Sequence, residues 1–264
     1  MKAIVYDIEG KEKEEIELPE TFEEAVRPDI IKRAFLSIRS KAYQIKGTDP
    51  LAGLRTSATY ISRRKRVYRT AMNIGRARVT RIKEPEARWG AARRASHVVK
   101  GRRAHPPKAE KKIQEKINKK ENKKAIRSAI SATGIIEWVK KRGHLITKIK
   151  QLPIIIEDKF QEIKKTKEAR EVLKKLNLEE DIKRAEKKKI KAGKGKTRGR
   201  KYKKKKSILI VIKEDKGIKK AAKNIPGVEI AEVKELNAEL LAPGGQPGRL
   251  TIYTKSAIEE IKKM

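Results

Sequence analysis

The chain has 264 residues, with 71 Lys and Arg against 34 Asp and Glu, and a formal net charge of +37. The positive charges repel one another in a compact state, so an anionic partner is expected. The lack of a long apolar run favours nucleic acid over a membrane surface as that partner. The absence of cysteine excludes disulfides, thiolate nucleophiles and Cys-ligated metals, and an N-terminus without an apolar signal core predicts a cytoplasmic protein.

The first forty or so residues show the patterns of two strands and a helix. Residues 2–7 form a short apolar run typical of a buried strand, and residues 16–18 alternate with acids as a short edge strand does. Pro28 can open a helix at its first turn. The apolar residues that follow it recur at helical spacing: Ile31, Phe35, Ile38 and Ala42.

A long basic stretch follows, and helical spacing returns after it. Ile113 and Ile117 share a face with the later apolar residues of a helix that Gly134 is placed to end. Trp138 belongs to one more short apolar turn and is expected in the core. Residues 154–156 are a continuous β-branched run, which indicates a strand of a parallel sheet covered on both faces.

The last third of the chain alternates between the two kinds of element. After helices over 168–177 and from 179 onward, we predict a strand over 208–212, a helix over 217–224, a strand over 228–231, a helix over 236–241, a strand over 250–254 and a helix over 255–264. This order predicts an α/β fold, a largely parallel sheet flanked by helices, with a long extended basic internal loop. We expect a single domain over 1–264, interrupted by that loop at 46–108 and by a basic segment at 187–206.

The internal loop, residues 46–108, is called the arm below. It carries 18 Lys or Arg against three acids, without a hydrophobic period, so we expect it to become ordered on a polyanion. Arginine predominates there, and its planar fork suits phosphate recognition, while base stacking is weighed slightly ahead of local packing for Trp89. The arm's candidate RNA contacts are Arg55, Arg63, Arg64, Lys65, Arg66, Arg69, Arg76, Arg78, Arg81, Arg93, Arg94, Lys100, Arg102 and Arg103.

The second basic segment, residues 187–206, has 13 cationic residues and no acid. Such a run is commonly only a solvated, flexible stretch, but here glycines alternate with cations, so the backbone can approach phosphates closely. Its candidate contacts are Lys194, Lys196, Arg198, Arg200 and Lys201, with Tyr202 as a stacking platform.

No pattern supports catalysis. The segment 192–197 resembles a phosphate loop but has Ile190 where the motif requires glycine, and no dinucleotide fingerprint follows a strand. His97, His105 and His144 lack metal-ligand spacing and are predicted to face the surface or RNA. We therefore predict no enzyme, no cofactor and no metal. An RNA- or nucleotide-acting enzyme and a DNA-compacting protein stay open as alternatives.

Five stretches carry a resemblance to a known family: 49–56 (DPLAGLRT), 99–107 (VKGRRAHPP), 118–133 (NKKENKKAIRSAISAT), 190–202 (IKAGKGKTRGRKY) and 241–254 (LAPGGQPGRLTIYT). In content and order they resemble the universal large-subunit ribosomal protein L-four family, in its archaeal and eukaryotic form. The resemblance implies a structural constituent of the large subunit that binds large-subunit rRNA. Its loop would reach the subunit core and help to line the nascent-peptide exit tunnel.

The resemblance also implies partners and a tip for the arm. The partners would be large-subunit rRNA, neighbouring large-subunit proteins including another tunnel-lining protein, and the nascent peptide, with no homo-oligomer. The arm's stem would comprise 51–56 and 100–107, with the tip inside 56–81. The tip candidates are Ser62, Arg63, Arg64, Lys65, Arg66, Val67 and Tyr68, a bulkier and more basic run than the glycine-rich tip of many relatives.

Overall fold

A sheet of six strands organises the larger part of the computed structural model, which describes residues 1–60, 73, 75–84, 86–147, 149 and 151–263. The strands in chain order are β1 (Lys2–Tyr6), β2 (Glu12–Glu17), β3 (Ile154–Ile156), β4 (Lys189–Ile190), β5 (Tyr202–Lys203), β6 (Leu209–Ile212), β7 (Glu229–Glu232) and β8 (Thr251–Thr254). Within the sheet the order is β2-β1-β3-β8-β6-β7, and every neighbouring pair is parallel except β1 and β2. The predicted α/β fold with a largely parallel sheet is confirmed.

Two predicted helix limits are confirmed, because Pro28 is the first residue of a helix and Gly134 is the last residue of another. The helices are α1 (Pro28–Lys41), α2 (Lys119–Gly134), α3 (Ile136–Arg142), α4 (Thr166–Lys175), α5 (Glu179–Glu186), α6 (Ile218–Ala222), α7 (Ala238–Leu241) and α8 (Lys255–Ile261). One prediction was wrong at a boundary. A capping box between Asn118 and Glu121 starts α2 at Lys119, so Ile113 and Ile117 precede the helix instead of sharing its face.

The two faces of the sheet bury alternate residues of the same strands. Ile154 and Ile156 of β3 pack with helices α4, α5 and α6, whereas Ile155 packs on the opposite face with α1, α2 and α8. The continuous β-branched runs are therefore covered on both sides, as the sequence predicts. Each fully buried Ile contributes about 1.5–3 kcal/mol relative to an exposed one.

The prediction that Trp138 is a core residue was wrong. Its side chain is half-buried, and the ammonium of Lys141 lies 5.0 Å from the ring centroid. The short helix α3 instead buries Val139, because seven residues give only two turns and one inward-facing position is enough to attach them.

The chain separates into two compact units, one formed by Met1–Ala42 with Gln114–Met264 and the other by Tyr43–Ile113. The first contains the sheet and the 187–206 segment. In the described part of the second, Thr59 and Arg81 form an antiparallel bridge and Arg81 forms another with Ala92. These bridges enclose the buried side chains of Ala58 and Ile82. The described arm is therefore a set of tight turns held by local bridges.

Candidate nucleic-acid interface

The basic segment 187–206 is a β-hairpin, which the sequence had suggested only as a charged run. Strands β4 and β5 pair antiparallel, and the amide of Lys191 donates to the carbonyl of Lys201 at 2.8 Å. At the turn, the amide of Arg200 donates to the carbonyl of Gly195 at 3.0 Å, and Gly199 adopts a φ of +74°. The loop thus has a defined path, and its candidate contacts Lys194, Lys196, Arg198 and Arg200 are all exposed.

One face of the hairpin carries an apolar pair. Ile190 and Tyr202 are direct cross-strand partners. The next pair, Lys191 and Lys201, is joined by a backbone hydrogen bond, so Ile190 and Tyr202 form a non-hydrogen-bonded pair, in which the two side chains are closer together. Tyr202 is 48% exposed, with the ammonium of Lys201 at 5.6 Å from its ring centroid. The hairpin therefore offers an aromatic surface next to cations, as stacking on a base requires.

A buried polar network holds the base of this hairpin. The carboxylate of Asp181 accepts hydrogen bonds from Ser207, from the amide of Leu145 at 3.1 Å and from Nε of Arg184 at 2.8 Å. Arg184 also donates to the carbonyl of Lys206 at 2.9 Å. The end of helix α5 is in this way tied to the residue that leaves the hairpin and enters strand β6.

His144 belongs to the same network, so the prediction that it faces the surface or RNA was wrong. It is 5% exposed, and its Nδ1 lies 3.1 Å from Oδ2 of Asp181. Burial lowers the pKa of His144 despite the adjacent carboxylate, so the ring is neutral at neutral pH. The same Nδ1 also lies 3.2 Å from Nη2 of Arg184. Burial alone would raise the pKa of Asp181, but hydrogen bonds from His144, Arg184 and Ser207 outweigh it and keep that pKa below its ordinary value.

Arg249 is a fully buried arginine that the sequence reasoning missed. Its guanidinium donates to Glu229 at 2.7 Å, to the carbonyl of Leu240 at 2.8 Å and to the carbonyl of Ser207 at 2.9 Å. Burial lowers its pKa, while the carboxylate of Glu229 opposes the shift. The signal that could have revealed it is its position directly before the last strand along the chain, β8, which is buried throughout, so that an unpaired surface charge is unexpected there.

The candidate cations of the arm fall into two groups. Arg81 is half-buried and bound within the arm, because its guanidinium donates to the carbonyls of Ala77 and Gly90, the latter at 2.6 Å. Arg76 covers the ring of Trp89 at 4.8 Å, which supports local packing for this tryptophan. Partly buried Arg93 donates to the carbonyl of Ala92. The remaining described candidates are exposed: Arg55, Arg78, Arg94, Lys100, Arg102 and Arg103.

Part of the predicted site lies outside the described residues. This applies to the arm contacts Arg63, Arg64, Lys65, Arg66 and Arg69, and to the tip candidates at 62–68.

The described residues contain neither a membrane-spanning helix nor a cluster of metal ligands. No helix there is long and apolar enough to cross a membrane. Among the same residues, no group of three or more His, Asp or Glu side chains could hold a metal ion.

The fold and the surface define an α/β protein that carries two strongly basic segments with exposed cations. The chain belongs to the ribosomal protein L4/L1 family, whose model matches residues 16–264. Among curated relatives, the large ribosomal subunit protein uL4 of Methanocaldococcus jannaschii is 50% identical over 100% of this chain and 99% of the relative. The proteins of the same name from Methanosphaera stadtmanae and Archaeoglobus fulgidus are each 48% identical over 98% of this chain, covering 96% and 97% of their own lengths.

Proposed function

We propose that this chain is a structural constituent of the large ribosomal subunit, works in the cytoplasm and has no catalytic activity. The observation that carries the proposal is the match along almost the whole chain to relatives named as large-subunit proteins, at 43–50% identity. The charge distribution supports it. An excess of 37 positive charges is suited to neutralising the phosphates of a large RNA, which is expected to dominate the affinity and make it depend steeply on salt.

The two basic segments, within one α/β domain, are the proposed rRNA contacts. In the hairpin these are Lys194, Lys196, Arg198, Arg200, Lys201 and Tyr202. In the arm the proposal covers all the candidates given above. The contacts of the described residues indicate that these cations have two different roles. Arg76, Arg81 and Arg93 stabilise the arm through an aromatic ring and backbone carbonyls, whereas Arg78, Arg94, Arg102 and Arg103 are exposed and can meet phosphates. Arg55 is exposed too and pairs with Asp49 at 2.8 Å.

The arm is further proposed to reach the subunit core and help to line the nascent-peptide exit tunnel, with residues 62–68 at its tip. Its partners there would be a second tunnel-lining protein and the nascent peptide. The chain is proposed to act as a single copy among neighbouring large-subunit proteins, with RNA shape instead of duplex sequence as the basis of its specificity.

Sedimentation of the tagged protein from gently lysed cells, with and without RNase, tests the proposal. We expect the protein to migrate with large subunits and to stay there through a moderate salt wash, since buried phosphate contacts are screened little. Migration with free protein or with DNA would contradict a ribosomal role. Saturable binding of a nucleotide by the purified protein would instead revive an enzymatic one.

A further inference from the structure

A cavity of about 840 Å³ lies beside the base of the basic hairpin, within the unit that contains the sheet. Its walls come from helix α1, the end of α3, helix α5, the outgoing strand of the hairpin and the turn after α7. The cationic residues that line it are Arg39, Arg142, Arg184 and the lysines at 203–206, against only two carboxylates, Glu229 and Glu239. The cavity therefore has a clear excess of positive charge.

Both carboxylates at the cavity are already paired. Glu239 lies 3.7 Å from Arg39, and Glu229 accepts from the buried Arg249 at 2.7 Å and from Lys206. Arg184 is paired as well, with the buried carboxylate of Asp181 at 2.8 Å. The cations of the lining that have no carboxylate partner among the described residues are therefore Arg142 and the lysines at 203–205.

Arg142 is the residue most in need of a counter-charge. It is half-buried, and its guanidinium donates to two neutral acceptors, the carbonyl of Pro243 at 2.7 Å and the carbonyl of Gln246. Within the described part of the chain, no carboxylate lies in ion-pair distance of it. Burial, reinforced by the positive charges of Arg249 and Arg184, lowers its pKa to about 10. Partial burial of a positive charge without a carboxylate partner is unfavourable, and a bound anion offsets that cost.

We propose that this cavity is a phosphate-binding site, in which Arg142 faces a phosphate group and the lysines at 203–205 add charge from the hairpin side. A guanidinium suits this ligand because its planar fork can donate two parallel hydrogen bonds to phosphate oxygens. The phosphate has two possible sources, the backbone of an RNA strand that runs past the hairpin or a small phosphoanion. The RNA source rests on the proposed function, whereas the small-anion source does not.

Thermal unfolding of the full chain in sodium phosphate and in sodium chloride of equal ionic strength tests the site itself. We expect phosphate to raise the Tm of the wild type by at least about 2 °C more than chloride does, because a ligand of the folded state stabilises it. Arg142→Met should lose most of this difference. Lys220→Met, which removes an exposed charge on α6 away from the cavity, is the matched control and should keep it.

Binding to large-subunit rRNA over a range of salt concentrations identifies the source. If RNA supplies the phosphate, Arg142→Met should weaken binding about tenfold and reduce the slope of log K against log salt by about 0.7–0.9, the loss of one phosphate contact. The control Lys220→Met should leave both unchanged. A loss confined to the phosphate-specific Tm difference assigns the site to a small anion.

The proposal is overturned if Arg142→Met behaves like Lys220→Met in both assays, since Arg142 would then only tie α3 to the turn after α7. If Arg142→Met does not fold, the exposed pair Lys204→Met with Lys205→Met replaces it, with the same expectations. A wild type that gains stability from phosphate but does not bind rRNA would refute the proposed function and leave this site supported.

Discussion

Replacing Arg249 by methionine should destabilise the sheet-containing unit by about 3–5 kcal/mol, the range for breaking a buried ion pair by removing one partner. The magnitude follows from the contacts. The variant keeps the apolar stem but removes the donors to Glu229 at 2.7 Å, to the Leu240 carbonyl at 2.8 Å and to the Ser207 carbonyl at 2.9 Å. Each buried acceptor left without a donor costs about 1–3 kcal/mol, although Glu229 keeps Lys206 as a partner.

Urea unfolding followed by the helical circular dichroism signal measures this loss. A change of that size should move the midpoint by more than about 1 M, because the slope is on the order of 1–3 kcal/mol per M. Arg170→Met is the matched control, since Arg170 also pairs with a glutamate, Glu186, at 3.0 Å, but both side chains are exposed. The control should cost about 1 kcal/mol or less.

A double-mutant cycle separates the ion pair from the carbonyl contacts. Arg249→Met and Glu229→Gln should be non-additive by about 0.5–3 kcal/mol, because the two side chains contact each other directly. If the free energies of unfolding of Arg249→Met and Arg170→Met differ by less than about 1 kcal/mol, this buried arginine does not hold the start of β8 to β6 and β7.

Three other predictions follow from the same unit. His144 has a pKa below its ordinary 6.5 in the folded state, so the unfolded chain binds the extra proton, and the free energy of unfolding should fall as pH drops below about 6.5. Between pH 7.5 and pH 5.5 the urea midpoint should fall less for His144→Asn than for the wild type, and an equal fall would contradict this. Gly248→Ala should lower Tm by several degrees more than Gly244→Ala. Both glycines have positive φ, but a Cβ at Gly248 would lie 2.5 Å from the carbonyl of Trp138, whereas a Cβ at Gly244 would face open space. Removal of 56–100 should leave a chain whose helical signal is lost in one cooperative transition, because the core strands lie elsewhere; a broad, non-cooperative loss would show that the arm belongs to the core.

The elements that the sequence predicted best are those whose side chains have one possible environment. The β-branched run of β3 and the apolar run of β6 could only be buried, while Pro28 and Gly134 correctly marked the start of α1 and the end of α2. The start of α2 was misplaced because Ile113 and Ile117 continue the apolar spacing by chance, while the hydrogen bonds of the capping box decide the boundary.

The parts of the site that the sequence could not predict depend on partners far along the chain. His144 is buried because Asp181, 37 positions later, meets it, and Arg249 because Glu229 does. A charged or titratable residue is assigned to the surface by default, and only the tertiary partner reverses that assignment. The hairpin could not be predicted for a similar reason, because its one apolar cross-strand pair, Ile190 and Tyr202, lies among many lysines.

The central place of β8 determines the order in which the fold can be completed during synthesis. β8 lies between β3 and β6, yet it is the last of the strands to be made. Until Thr254 has left the ribosome that makes it, β3 and β6 lack the strand that pairs with both of them, so their backbone edges stay unpaired. The arm is made much earlier, and its arginines are by then already accessible to any RNA nearby. Ribosome-bound chains that stop before Thr251 should therefore be cut readily by a protease within β6, whereas the released full chain should resist, and equal resistance would show that the sheet does not wait for its central strand.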